Sequence, residues 1–228
     1  DHREIRRLTD ALHPGEPIDD TVGLVVATSG TTGTPKGAQL TATALRASGD
    51  ATHERLGGTG SWLLALPAHH IAGLQVLLRS SLSGTEPVIV DVSEGFDPAT
   101  LPAAVAAMRG PRRYSSMVPT QLVKTLDHPD ALAALAELDA ILLGGAATPE
   151  PVLRRARDAG VNVVRTYGMS ETCGGCIYDG VPLTGVDVRI DADTRVWLGG
   201  RCSHPATADS PTTRRSPSRA GSAPTTQD

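Results

Sequence analysis

Aromatic side chains are scarce in this chain: one Phe, two Trp and three Tyr among 228 residues. A core built from it must rest on Ala, Leu and Val. Three cysteines, an odd number, exclude a disulfide framework, and a reducing cytoplasm is the expected compartment. No apolar run approaches the roughly 18 residues needed to span a bilayer, so no membrane insertion is expected. No Lys/Arg run marks a surface for nucleic acid or anionic lipid, and the net charge is −4. No signal peptide is recognisable, and the first residue is Asp1 rather than Met, as in a fragment or a processed form. The remainder, 39% hydrophobic and 20% charged, has the composition of an ordinary globular domain.

The densest information lies in residues 28–37, Thr-Ser-Gly-Thr-Thr-Gly-Thr-Pro-Lys-Gly. They follow a short apolar run, 22–27, that reads as a buried strand. A strand that ends in small residues leaves several backbone N–H groups free to converge. Gly30 and Gly33 let the backbone approach a ligand. Ser29, Thr31, Thr32 and Thr34 add hydroxyls and Lys36 a positive charge, which together make a cradle for a polyphosphate. The Walker A loop is excluded, because Lys36 stands between Pro35 and Gly37 rather than between Gly and Ser/Thr.

Further along, helices are expected over residues 41–56 (weakened by Gly49), 71–82, 101–108, 121–126, 129–138 and 149–159. Strands are expected over 62–66, 87–92, 114–118, 140–143 and 161–165. A short helix is possible over 3–12. Strands alternating with helices predict an α/β fold, a mostly parallel sheet layered with helices. Right-handed crossovers would bring the loops after Leu143 and Arg165 to one carboxyl edge, with the loop after Ala27 beside them.

Two of those loops carry chemistry. Thr166-Tyr-Gly-Met-Ser-Glu171 combines a flat ring (Tyr167), a close-approach glycine (Gly168), a hydroxyl (Ser170) and a carboxylate (Glu171). A nucleotide site needs such a set: a face for the base, a donor for phosphate and an oxygen ligand for Mg²⁺. Gly144, Gly145 and Ala146 form a glycine turn after the preceding strand. Cys173-Gly-Gly-Cys176 offers a redox pair or half a zinc site, but no second Cys pair or His-x-x-x-His accompanies it.

Residues 28–37 resemble the phosphate loop of the adenylate-forming superfamily, which includes acyl-CoA synthetases, luciferases and nonribosomal-peptide adenylation domains. Residues 166–171 resemble its Tyr-Gly-x-Ser/Thr-Glu motif, and 143–146 the glycine turn beside adenine. Leu-Pro-Ala-His-His-Ile-Ala-Gly-Leu at 66–74, Leu78-Arg79 and Met-Val-Pro-Thr-Gln-Leu at 117–122 look like the o-succinylbenzoate–CoA ligases of menaquinone biosynthesis. The resemblance covers about residues 18–200. It implies the large N-terminal domain of such an enzyme, with the small C-terminal domain missing and ATP, Mg²⁺ and CoA as partners of a small carboxylic acid. It also implies roles: Thr28, Ser29, Gly30, Thr31, Thr32, Gly33 and Lys36 on the β/γ-phosphates, Ser170 on the α-phosphate and Glu171 on the metal. Tyr167, Gly168, Gly144, Gly145 and Ala146 would border the nucleotide, and Lys36, Ser170, Glu171 and His70 would be the catalytic set. His70, Gly73 and Arg79 would face the acid, Arg79 as a counter-ion for an acidic substrate. The plainer readings are that His70 caps a helix and that Arg79 reaches out to solvent. Another carboxylic acid as substrate, or an ATP-binding remnant without catalysis, are the alternative readings of the whole.

From Arg201 onward the composition changes. Residues 201–228 contain no Leu, Ile, Val, Met, Phe, Tyr or Trp, and such a segment is expected to be disordered. GC-rich codons for it can be written so that another frame reads Gly-Tyr-Arg and later Gly-Trp-Phe-Arg-Thr-Asp, two segments the superfamily would place there. The expectation is a single-base deletion near the codon of Arg201, which the coding DNA would have to show. The resulting division is 1–20, a partial N-terminal segment; 21–200, the incomplete adenylate-forming core; and 201–228, an out-of-frame tail. Weak ATP binding and little complete turnover are expected of such a chain.

Overall fold

The computed structural model describes residue 15 and residues 17–28 and 36–201. The possible helix over 3–12 and the tail after Arg201 lie outside the described residues.

Two apolar faces organise the molecule. A seven-stranded sheet runs in the order β4-β3-β5-β6-β7-β8-β9. Its strands are β3 (Ser61–Leu64), β4 (Val88–Ile89), β5 (Arg113–Met117), β6 (Ala140–Leu143), β7 (Val163–Met169), β8 (Gly174–Tyr178) and β9 (Val181–Pro182). The strands from β4 to β7 pair in parallel, whereas β8 and β9 add antiparallel at one side. Side chains alternate across a strand, so Trp62 and Leu64 point to one face and Leu63 and Ala65 to the other. Helices cover both faces, as a parallel sheet requires. On one side lie α1 (Ala42–Arg55) and α2 (Ile71–Leu82), packed on Trp62, Leu64, Tyr114 and Leu142. On the other lie α3 (Leu101–Ala107), α4 (Pro119–Leu126), α5 (Pro129–Ala136) and α6 (Glu150–Asp158), packed on Leu63, Met117, Ile141 and Leu143.

Local chemistry explains the helix limits. Thr41 caps α1, its Oγ1 accepting the Ala44 N–H at 3.1 Å. Pro119 opens α4, and Gln121 Oε1 accepts the Val118 N–H at 3.1 Å. Acidic Glu150 opens α6 while Arg155 and Arg157 close it, and Gly160 follows at φ 83°. Gly49, which weakens α1 on propensity, earns its place by packing: a Cβ there would lie 2.4 Å from Leu82 Cδ1 of α2.

The structure corrects several sequence expectations. Two hairpins stand apart from the main sheet, β1 (Val22–Thr28) with β2 (Lys36–Thr41) and β10 (Val186–Ile190) with β11 (Val196–Gly200). Neither β2 nor the strands after residue 173 were foreseen. The strand expected over 87–92 is only the pair Val88–Ile89. Residues 166–169, expected as a loop, continue β7, because they pair with β8.

Candidate active site

The parallel strands end at one edge, and there the turn after β6 meets the end of β7. A cleft of about 130 Å³ is lined by Gly144 and Gly145 after β6, by Gly168 and Met169 at the end of β7, and by Gln75 and Arg79 of α2, with Tyr178 of β8 closing it. The glycines are needed by contact rather than by flexibility alone. A Cβ at Gly144 would meet Thr166 Oγ1 at 2.3 Å, and one at Gly168 would meet the Gly174 carbonyl oxygen at 2.0 Å. Gly145 adopts φ 86°, which favours glycine.

Beyond Met169 the chain makes one 3₁₀ turn, Ser170–Thr172, that presents Ser170 and Glu171 half-exposed. The turn is held from beneath. Thr172 Oγ1 accepts the Met169 N–H at 3.0 Å and donates to the Gly174 carbonyl at 2.8 Å. Cys173 then takes a left-handed conformation, φ 54°, and is fully buried. Its carbonyl accepts from Gln75 Nε2 at 2.7 Å and from Ser48 Oγ at 3.3 Å. The β1–β2 hairpin packs on this turn, with Val26, Ala38 and Leu40 clustered around Cys173. Its paired ends, Thr28 and Lys36, are joined by Ser29, Gly30, Thr31, Thr32 and Gly33 together with Thr34 and Pro35, which lie outside the described residues.

Other expected site residues fall at different places. Tyr167 is half-buried in β7 opposite Ile177, and Ala146 is exposed just past the glycine turn. His70 stands exposed at the start of α2, makes no side-chain cap bond, and stacks on His69 with ring centres 4.3 Å apart. Gly73 is buried away from the cleft, where a Cβ would collide with the Pro67 carbonyl oxygen at 2.3 Å. Its smallness has a packing reason. Cys173 and Cys176 are both buried.

Arg79 does not reach solvent. It is 3% exposed, with its guanidinium 5.1 Å above the Trp62 ring. Nη2 donates to Tyr178 Oη at 3.4 Å, and among the described residues Nε has no partner. Among the described residues no carboxylate pairs with it. Burial pushes its pKa below the ordinary value, with Tyr178 opposing. Sequestering an ion costs several kcal/mol. A cation–π contact returns about 2 kcal/mol and a hydrogen bond to a hydroxyl about 1 kcal/mol. From the described residues alone, the cation is under-compensated.

Two cleft residues escaped the sequence reading. Gln75 lies four residues before Arg79 on the same helical face, a polar pair in an apolar helix that the i, i+4 rule could have raised. Tyr178 sits two residues past Cys176 and carries no such signal. For a metal, the donor set is sparse: among the described residues no three His, Cys, Asp or Glu side chains cluster. A lone half-exposed Glu171 still suits Mg²⁺, which keeps several waters and uses one or two carboxylates beside substrate phosphates.

A family model described as AMP-binding enzyme matches residues 6–205. The chain belongs to the AMP-binding enzyme family. Within that family, a probable 2-succinylbenzoate–CoA ligase of Mycobacterium tuberculosis is 60% identical over 193 residues, 85% of this chain and 50% of that protein. The 2-succinylbenzoate–CoA ligase of Bacillus subtilis is 31% identical over 191 residues, 78% of this chain and 38% of that protein. The chain thus spans half or less of the length of these AMP-binding relatives. Among solved structures, o-succinylbenzoate CoA synthetase from Bacillus subtilis in complex with its acyl-adenylate intermediate matches with a TM-score of 0.68 at 28% identity, covering 78% of this chain and 40% of that one. The same enzyme in complex with ATP and magnesium ion matches with a TM-score of 0.69 at 26% identity, covering 83% and 44%. The mixed sheet layered with helices is the architecture of that N-terminal domain. No helix among the described residues is long and apolar enough to cross a membrane.

Proposed function

We propose that this chain supplies the ATP- and acid-binding part of an AMP-forming acid–CoA ligase, with 2-succinylbenzoate as the acid. The observation that carries the reading is Arg79, a buried cation on the cleft wall that no carboxylate of the described residues neutralises. A dicarboxylic acid leaves one carboxylate to be bound while the other reacts, and such a guanidinium is a counter-ion for the first. The names of the relatives support the same acid.

The reaction has two steps. The acid's carboxylate attacks the α-phosphorus of ATP, giving the acyl-adenylate and releasing pyrophosphate; the CoA thiol then displaces AMP and forms the thioester. The protein's part in the first step is charge neutralisation and alignment. Thr28, Ser29, Gly30, Thr31, Thr32, Gly33 and Lys36 would hold the outer phosphates and Ser170 the α-phosphate. Gly144, Gly145, Ala146, Tyr167 and Gly168 would border the adenosine. Glu171 would hold Mg²⁺, which when bound neutralises phosphate charge. His70, at the cleft's rim on α2, would meet the acid as it enters. These partners are small molecules of the cytoplasm, and the reaction belongs there.

The test is ATP–pyrophosphate exchange by the 228-residue chain across a panel of acids. Exchange with 2-succinylbenzoate that exceeds exchange with benzoate, succinate and fatty acids supports the reading. Preference for another acid reassigns the substrate, and exchange with none removes the catalytic claim for this chain.

A further inference from the structure

Tyr178 and Thr52 have no part in the reaction just described, yet their hydrogen bonds run in one direction only. Thr52 Oγ1 has a single proton and donates it to the Ser48 carbonyl at 2.9 Å, one turn back along α1. Thr52 and Tyr178 are 3.0 Å apart, oxygen to oxygen. With the Thr52 proton committed, Tyr178 must be the donor of that bond. The phenol oxygen then keeps its lone pairs for Arg79 Nη2. All three side chains are 3% exposed or less. In so dry a place each bond polarises the next.

We infer that Tyr178 and Thr52 are positioning residues that set the acid specificity of the cleft by fixing the Arg79 guanidinium. This rests on the reading of Arg79 as the counter-ion of a dicarboxylic acid. Trp62 lies beneath the guanidinium, with Cζ 5.1 Å from the ring centre, but a ring face alone does not fix the direction of the fork. The Tyr178 oxygen removes that freedom by binding one edge, which decides the edge left for a carboxylate. A planar fork can be paired in two directions only when its plane and rotation are both set. Tyr178 cannot act alone, because without Thr52 its proton is free to turn towards Arg79 and repel it. Reversing that proton would convert an acceptor into a like-signed dipole. Specificity for an acid with a second carboxylate is thus built by α1, α2 and β8 together.

The experiment is isothermal titration calorimetry of the 228-residue chain, in the presence of ATP, with two acids. One is 2-succinylbenzoate; the other is 4-oxo-4-phenylbutanoate, the same skeleton with a single carboxylate. Tyr178→Phe is expected to weaken the dicarboxylate about fivefold to tenfold and to leave the monocarboxylate unchanged. Thr52→Val, which keeps shape and leaves the phenol in place, is expected to weaken it about threefold, and to add nothing in the Tyr178→Phe background. Arg79→Gln should bring the two acids to the same affinity. If Arg79→Gln has that effect while Tyr178→Phe and Thr52→Val bind like the parent, the positioning inference is overturned and the counter-ion reading stands. If Arg79→Gln changes nothing, or the parent does not bind the dicarboxylate, both are overturned. Equal weakening of both acids, with a lowered thermal midpoint, would assign Tyr178 to the fold alone. Should Tyr178→Phe fail to fold, Thr52→Val decides by itself.

Discussion

A guanidinium sealed from water costs a folded chain stability unless an anion neutralises it, and Arg79 is sealed in this way. Replacing even a buried ion pair by apolar groups of similar volume is often neutral or stabilising by about 1–4 kcal/mol, and a buried cation with no anionic partner forfeits no Coulombic attraction when it is replaced. Arg79→Met is therefore expected to raise the thermal midpoint of the free chain while removing its affinity for the dicarboxylic acid. Thermal unfolding with and without 2-succinylbenzoate measures both at once. A destabilised Arg79→Met chain would mean that the Trp62 face and the Tyr178 hydroxyl compensate the charge without help. Gln75 shows a related trait: its Oε1 is buried without a partner among the described residues, while its Nε2 holds the Cys173 carbonyl. One half of that amide serves the turn.

Among the elements, the β7–β8 hairpin carries the tightest geometry. Gly168 faces Gly175, and a bulge separates Tyr167 from Gly168. A methyl group at 168 would press on backbone, at the Gly174 carbonyl, where no rotamer change relieves it. Gly168→Ala is expected to cost about 2–3 kcal/mol and to displace the turn bearing Ser170 and Glu171; chemical denaturation checks the first and ATP affinity the second. A stability equal to the parent's would mean that the hairpin can spread. This hairpin also marks the limit of what residue patterns reveal. The helix Ile71–Leu82 and the strand Ala140–Leu143 were legible to the residue, because a sustained apolar face and a bounded apolar run have one reading each. Residues 166–169 were not, since Gly168 is a poor strand former and its pairing depends on glycines six and seven positions later. In β2 only Ala38 and Leu40 alternate inward, too few to fix a period. Gly144, Gly145, Gly168 and Arg79 were legible as cleft residues, whereas Tyr178 was not, because its partner Thr52 is 126 residues away.

At the scale of the whole molecule, His53 gives acidity one point of action on stability. Its Nε2 accepts the Trp62 Nε1–H at 3.3 Å, which requires that nitrogen to be unprotonated. Burial, and next the charge of Arg79, lower its pKa below the ordinary value, with Asp50 opposing. The folded chain thus binds fewer protons here than the unfolded one. The stability from this residue is complete above a pH of about 6.5 and is lost as pH falls through that value towards the lower folded one. Urea midpoints are expected to drop between pH 7.5 and 5.5, and His53→Gln should flatten that drop. An unchanged slope would place the acid sensitivity elsewhere. An acid bound at Arg79 would weaken the repulsion, so the same interval should flatten in its presence.

The Cys173 carbonyl receives one donor from a residue 125 positions earlier and another from a residue 98 positions earlier. Chains emerge from the ribosome from the N-terminus onward. The hairpin and first helix must therefore wait, apolar sides uncovered, until residue 173 has been made. Closing loops of that length is slow compared with forming helices. The turn bearing Ser170 and Glu171 is thus among the last of these features to assemble during synthesis, and a nascent chain halted before residue 173 has every parallel-paired strand of the sheet but lacks the carbonyl that fastens that turn.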